Sequence, residues 1–232
     1  MKKHKISIVG FDADDTLWVN EPFFRESEFQ FADLFSGYMG RDLVIRELFQ
    51  IEMKNLELYG YGIKSFMLSM IETAYKITGD AITKETIAKI IEIGREQLQK
   101  PVQLLDGVEE VLHKLSSHGY KLIVATKGDL LDQERKLRKS GLEKYFHHIE
   151  IMSDKKESDY QKLLSKLDIK ASEFIMIGNS LKSDVIPVLN IGGAGIHVPF
   201  HTTWQHEEIS SDGVNEYIEV ESITGVIPML IC

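Results

Sequence analysis

The stretch Ile6-Ser7-Ile8-Val9-Gly10-Phe11-Asp12-Ala13-Asp14-Asp15-Thr16 runs from a short apolar segment straight into polar residues. An apolar run of this length, ending abruptly, is how a strand buried on both faces of a parallel sheet reads. From about residue 101 the chain alternates strictly. A helix carries Val108, Val111, Leu112 and Leu115, a strand covers 121–126, and a helix starting near Asp129 ends at Gly141, a C-cap signal. A strand at 148–152, a helix with Tyr160, Leu163, Leu164 and Leu167, a strand at 174–177, a helix at 181–189 and strands at 195–198 and 217–220 follow. Strands alternating with helices imply βαβ units and a doubly wound, Rossmann-like parallel sheet of the α/β class.

Between the first strand and residue 101 the texture is helical. Ile63, Phe66, Met67, Met70, Ile71, Ala74 and Ile77 form one amphipathic stripe, and Gly60, Gly62, Gly79 and Asp80 punctuate the region. The expected organisation is therefore a core of residues 1–16 plus 101–232 with an inserted all-helical cap at 17–100.

Composition narrows the partners. The 232 residues carry 27 Lys plus Arg against 36 Asp plus Glu, a formal net charge of −9. That balance disfavours nucleic acid but admits small anions, which a local cluster of cations or amides can bind. The only cysteine is Cys232, so no intrachain disulfide forms, as expected in a reducing compartment. Lys2, Lys3 and Lys5 precede an apolar run that stops at Asp12 after six residues, shorter than the ~7–15 of a secretory signal. No stretch approaches the ~18 apolar residues of a membrane span. The expectation is a soluble cytoplasmic protein without nucleic-acid or membrane partners, as a monomer or homodimer.

In open parallel sheets ligands bind at the carboxyl ends of the strands. Strand one delivers Asp12 and Asp14, neighbouring carboxylates that raise each other's pKa unless a cation or proton intervenes. Read alone, they also suit a helix cap or a turn. The 121–126 strand ends in Thr126, Lys127 and Gly128, a hydroxyl beside a glycine turn that suits a phosphate oxygen or a cap. Asp154, Lys155, Lys156 and Glu157 follow the next strand. Gly178, Asn179, Ser180 and then Asp184 follow the one after. Oxygen donors gathered at one edge suit a hard cation such as Mg2+.

In this order, Asp-x-Asp-x-Thr, then Thr, then Lys, then Gly-Asn-Ser-x-x-x-Asp resembles the haloacid dehalogenase-like hydrolase superfamily, mostly phosphatases, with the helical insert where that family carries a cap. The resemblance implies that Asp12 is a nucleophile forming an aspartyl-phosphate and Asp14 the general acid/base. Thr126 binds a phosphoryl oxygen, Lys155 balances its charge, and Asp12, the Asp14 carbonyl and Asp184 hold Mg2+. The implied substrate is a small phosphorylated metabolite.

This chain departs from the family pattern in having Asp15 where Gly is usual, Asn179 in place of a first Asp, and adjacent Lys155 and Lys156 with no following proline. Asp15 reads as a cap or as extra charge. Lys155 is chosen because it precedes the helix carrying Tyr160, and Lys156 stays open. Trp18, Tyr61 and Lys64 are candidate substrate contacts, by position. His197, His201, His206 and Glu207 form a candidate metal cluster, disfavoured because Pro199 prevents one helix from carrying them. A phosphosugar mutase, a dehalogenase and a non-catalytic binding module are the alternatives. A dehalogenase has no need of Asp14 as a second acid.

Overall fold

The computed structural model describes residues 6–209 and 217–231. Cys232 and the lysines at 2, 3 and 5 lie outside them. In chain order the main elements are β1 (Ile8–Phe11), α1 (Glu21–Asp33), α2 (Arg41–Tyr59), α3 (Ile63–Thr78), α4 (Lys84–Gln99), α5 (Val108–Ser117), β2 (Lys121–Lys127), α6 (Leu130–Ser140), β3 (Phe146–Met152), α7 (Glu157–Lys166), β4 (Phe174–Gly178), α8 (Ile186–Asn190), β5 (Ala194–His197), β6 (Ile218–Glu219) and α9 (Ile227–Leu230).

The strands form one sheet in the order β3-β2-β1-β4-β5-β6, every pairing parallel. β1 sits where the winding reverses, with β2 on one side and β4 on the other. Alternation explains why the strands read as apolar throughout. Val9, Phe11, Leu122, Val124, Ile175 and Ile177 face one core, shared with Val111, Leu112 and Leu115 of α5. Ile8, Ile123, Ala125, Phe174 and Met176 face the other, under Tyr160, Leu163 and Leu164 of α7 and Val188 of α8. Burying each large apolar side chain stabilises the fold by about 1.5–3 kcal/mol, so both faces specify the register.

The chain divides into two compact units: Met1–Glu21, Val102–Lys127 and Gln133–Cys232 form the sheet unit, and Pro22–Pro101 with Gly128–Asp132 the helical one. The helical unit has its own core, in which Ile63, Phe66, Met70 and Ala74 of the α3 stripe meet Phe31, Val44, Leu48 and Ile90, while Met67, Ile71 and Ile77 are partly buried around it. Leu17 and Trp18 pack in the sheet unit, within the core of Phe11 and Val111.

Local differences from the expected elements have physical causes. β3 begins two residues earlier, at Phe146, where pairing with Leu122 extends the ladder. The expected helix at 181–189 starts as a π-helical turn, Leu181–Val185, before α8. Such turns accumulate at functional sites.

Candidate active site

Asp12 follows the last residue of β1, and its N–H donates to the Ile177 carbonyl of β4 at 2.9 Å. The sheet's own hydrogen bonding therefore carries the backbone of Asp12 to the carboxyl edge at the switch point. The chain then turns tightly, with the Leu17 N–H donating to the Ala13 carbonyl at 2.8 Å. Asp15 takes φ +60° in that turn. A left-handed residue is costly for most side chains and tolerable for Asp, which accounts for an aspartate where the family pattern has glycine. Its carboxylate accepts from the Asn20 N–H at 2.8 Å and the Glu21 N–H at 3.0 Å, capping the start of α1. Burial pushes the Asp15 carboxyl up to about 7, against the lowering effect of the Asn20 amide.

Lys155 is 3% exposed. Its Nζ donates to Asp12 Oδ1 and, at 2.7 Å, to Asp184 Oδ1. Lys156, by contrast, is exposed and pairs with Asp154 at 2.8 Å. Burial pushes the Asp12 carboxyl up to about 7, although the Lys155 ammonium opposes it, and Asp184 adds to the rise. Burial alone would lower the Lys155 ammonium, and Asp12 and Asp184 together hold it well above its ordinary value.

Asp184 arrives through the turn after β4. Ser180 caps that turn, its Oγ accepting from the Ser183 N–H at 3.1 Å, and the Ser180 N–H donates back to Asp184 Oδ2 at 3.0 Å. Gly178 makes the approach possible: a Cβ there would lie 2.2 Å from Asp184 Oδ2. Asn179 points its Oδ1 at the Thr16 hydroxyl, 3.3 Å away, while its N–H donates to Thr16 Oγ1 at 3.0 Å. Thr16 Oγ1 also lies 3.3 Å from Asp12 Oδ2.

Thr126 is buried at the end of β2, its hydroxyl donating to the Lys127 carbonyl at 3.2 Å. Lys127 Nζ donates to Ser183 Oγ at 2.9 Å and Glu207 Oε1 at 2.6 Å. Gly128 has φ +135°. Trp18 is 1% exposed and donates from Nε1 to Asp14 Oδ1 at 2.7 Å, so it supports the acid/base candidate. Tyr61 and Lys64 lie in the helical unit, where Lys64 Nζ donates to Asp129 Oδ2 at 2.9 Å.

The histidines each have separate partners. His197 lies between Glu219 Oε2, 2.8 Å away, and the Asn179 carbonyl, 3.0 Å away. His201 meets Thr202, and His206 packs against Trp204. Among the described residues no three carboxylate, imidazole or thiol side chains converge as a metal cage. The ligand set expected for Mg2+ is of another kind, two carboxylates and a backbone carbonyl. Asp12 and Asp184 fit it in chemistry: two buried carboxylates share one ammonium, leaving uncompensated negative charge that a hard divalent cation relieves.

Gln133 and Lys136 escape sequence reading, and Glu207 stands out there only as a neighbour of the histidines, not as a partner of Lys127. Gln133 Nε2 and Lys136 Nζ donate to Asp14 at 2.8 and 2.6 Å. Glu207 accepts from Lys127, Ser180 and Ser183. The only sequence signal of Gln133 and Lys136 is polarity at otherwise unremarkable positions of a helix.

Among the described residues no helix is long and apolar enough to cross a membrane. A family model described as haloacid dehalogenase-like hydrolase matches residues 6–192. A haloacid dehalogenase-like family hydrolase from Xanthomonas campestris is 39% identical with a TM-score of 0.86, covering 99% of this chain and 94% of that one. A predicted phosphoglycolate phosphatase from Haemophilus somnus shares the fold at 17% identity and TM-score 0.67, over 97% and 98% of the two chains. A glyceraldehyde 3-phosphate phosphatase from Pyrococcus abyssi is 32% identical over 92 residues, 37% of this chain and only 38% of that protein's length. With a parallel sheet that gathers Asp12, Lys155 and Asp184 at its carboxyl edge, the chain belongs to the haloacid dehalogenase-like hydrolases.

Proposed function

We propose that the protein is a Mg2+-dependent phosphatase that hydrolyses a small phosphorylated metabolite through an aspartyl-phosphate. The observation that carries this reading is the second carboxyl, Asp14, two residues beyond the nucleophile candidate and held by Trp18, Gln133 and Lys136. Displacement of a halide by a carboxylate needs no proton donor, whereas expulsion of an alkoxide from phosphorus does.

In this reading an Asp12 oxygen attacks phosphorus as the bond to the leaving oxygen breaks, and Asp14 gives that oxygen its proton. Asp14 then takes a proton from water as the water oxygen attacks phosphorus, the bond to Asp12 breaks, and inorganic phosphate leaves. Splitting one displacement into two is the value of the carboxylate nucleophile. Lys155 orients Asp12 and offsets its charge, and the Thr126 hydroxyl serves a phosphoryl oxygen. Asp12, Asp184 and the Asp14 carbonyl would hold Mg2+, which supplies charge neutralisation for the phosphoryl oxygens.

The helical unit, Pro22–Pro101 with Gly128–Asp132, serves as the substrate-selecting cap in this reading, with Tyr61 and Lys64 as its candidate contacts. A lone cysteine suits a cytoplasmic enzyme, and a net charge of −9 still admits a small anion at a local cluster of cations.

The test is phosphate release from p-nitrophenyl phosphate and a panel of metabolite monoesters with Mg2+, with 2-haloacids alongside. Wild-type turnover of a monoester that Asp12→Asn abolishes, while the variant stays folded, supports the reading. Halide release without phosphate release, or undiminished Asp12→Asn activity, sinks it.

A further inference from the structure

Three side chains converge on the Asp14 carboxylate. Trp18 Nε1 and Lys136 Nζ donate to Oδ1 at 2.7 and 2.6 Å, and Gln133 Nε2 donates to Oδ2 at 2.8 Å. Trp18 belongs to the same loop as Asp14. Gln133 and Lys136 come from α6, some 120 positions away, and stand at i and i+3 on one face of that helix.

Gln133 carries a cost that local stability does not explain. It is 4% exposed, and its Nε2 donates both to Asp14 and to the Lys127 carbonyl at 2.8 Å. Its Oε1 is buried with no hydrogen-bond partner. An orphaned buried acceptor costs about 1–3 kcal/mol, and a leucine of similar size would avoid it. What the glutamine provides in exchange is a pair of fixed N–H donors, one on Asp14 and one on the end of β2 beside Thr126. A local rule broken in this way marks a functional position.

Lys136 is likewise held where most lysines are solvated. Its side chain is 17% exposed, and Nζ makes a second bond, to Asn20 Oδ1 at 3.2 Å. The ammonium is thus clamped between the catalytic turn and the residue that begins the passage to α1.

We propose that Gln133 and Lys136 are positioning residues for Asp14, fixing the rotamer of its carboxyl group so that proton transfer occurs in one geometry. The proposal rests on the phosphatase reading and adds to it two residues outside the family's motifs. Neither touches the reacting atoms. Each acts through Asp14, whose displacement by about 1 Å is enough to cost on the order of 100-fold in rate.

The experiment uses the monoester that the wild type hydrolyses fastest, with Mg2+. Gln133→Leu and Lys136→Met are expected to lower kcat roughly 10–100-fold, the range typical of residues that orient a functional ligand, with KM little changed. Gln133→Leu should retain or raise Tm, because it removes the orphaned acceptor, and Lys136→Arg should recover part of the kcat lost in Lys136→Met. Combined with Asp14→Asn, neither substitution should slow the residual rate further, since both act through the missing carboxylate. Wild-type kcat in Gln133→Leu and Lys136→Met, or losses that multiply with that of Asp14→Asn, would overturn the positioning role while leaving the phosphatase intact. A wild type that releases no phosphate from any monoester overturns the underlying reading, and this proposal with it.

Discussion

Lys127 Nζ donates to Glu207 Oε1 at 2.6 Å across 80 positions of sequence. The other carboxylate oxygen of Glu207 accepts from the hydroxyls of Ser180 at 2.5 Å and Ser183 at 2.6 Å. One side chain from the loop after β5 therefore ties the end of β2 to the turn that carries Asp184. Burial pushes the Glu207 carboxyl up, but Lys127 and the two hydroxyls more than reverse this and hold it at about 2.

Because the folded value lies below the ordinary 4.5, the ionised carboxylate stabilises the fold above about pH 4.5, and that contribution disappears as pH falls toward 2. Glu207→Gln should cost on the order of 3 kcal/mol at pH 6.5 and much less at pH 3. Urea unfolding at the two pH values measures it, and a difference independent of pH would refute the assignment.

Removing Lys155 leaves Asp12 and Asp184 as buried carboxylates with no shared cation. Lys155→Met is expected to destabilise the fold by about 3–5 kcal/mol and abolish phosphate release. Lys156→Met, at an exposed pair, should change stability by less than about 1 kcal/mol and leave turnover unchanged. Equal effects in both variants would undo the distinction between the two lysines.

Asp15 combines a left-handed backbone with a cap, and substitutions separate these roles. Asp15→Gly keeps the backbone conformation and loses the cap, at roughly a few tenths of a kcal/mol. Asp15→Val loses both and should cost about 1–2 kcal/mol more. Tm values in the order wild type, Gly, Val are expected; equal values for Gly and Val would show that φ +60° is not required.

Mg2+ should raise Tm, by an amount equivalent to about 2.7 kcal/mol at 100 times its Kd. With the Asp12 carboxyl at about 7, ionised Asp12 costs stability as pH rises from 3.8 toward 7. Protons also compete with metal for that oxygen. The thermal shift should therefore be larger at pH 8 than at pH 5.5, and small in Asp184→Asn. A full shift in Asp184→Asn would place the ion elsewhere.

Most of the sheet was legible because its strands are buried on both faces, and burial on both faces writes itself into sequence as short apolar runs such as 121–126 and 174–177. The break at 181–189 was not, because a π-helical turn has no signature in hydrophobic spacing; it follows from Ser180 and Asp184 bonding reciprocally around Gly178. Its place ahead of a helix points to Lys155 in the sequence, yet burial and the bonds to Asp12 and Asp184 are what separate it from Lys156. Trp18 read as a substrate contact because an aromatic after a catalytic loop looks available; its indole N–H instead lies on Asp14.

The alternating architecture, the helical insertion and the order of polar residues at the strand ends are written in the sequence, since these depend on neighbours within a few positions and on periodicity. Which charges meet follows only from the folded chain. Asp12 reaches Lys155 across 143 positions, Asp14 reaches Lys136 across 122, and Lys127 reaches Glu207 across 80. Such pairs depend on the register of strands and the facing of helices, which place two side chains within hydrogen-bond distance regardless of their separation along the chain, and no local pattern records that distance.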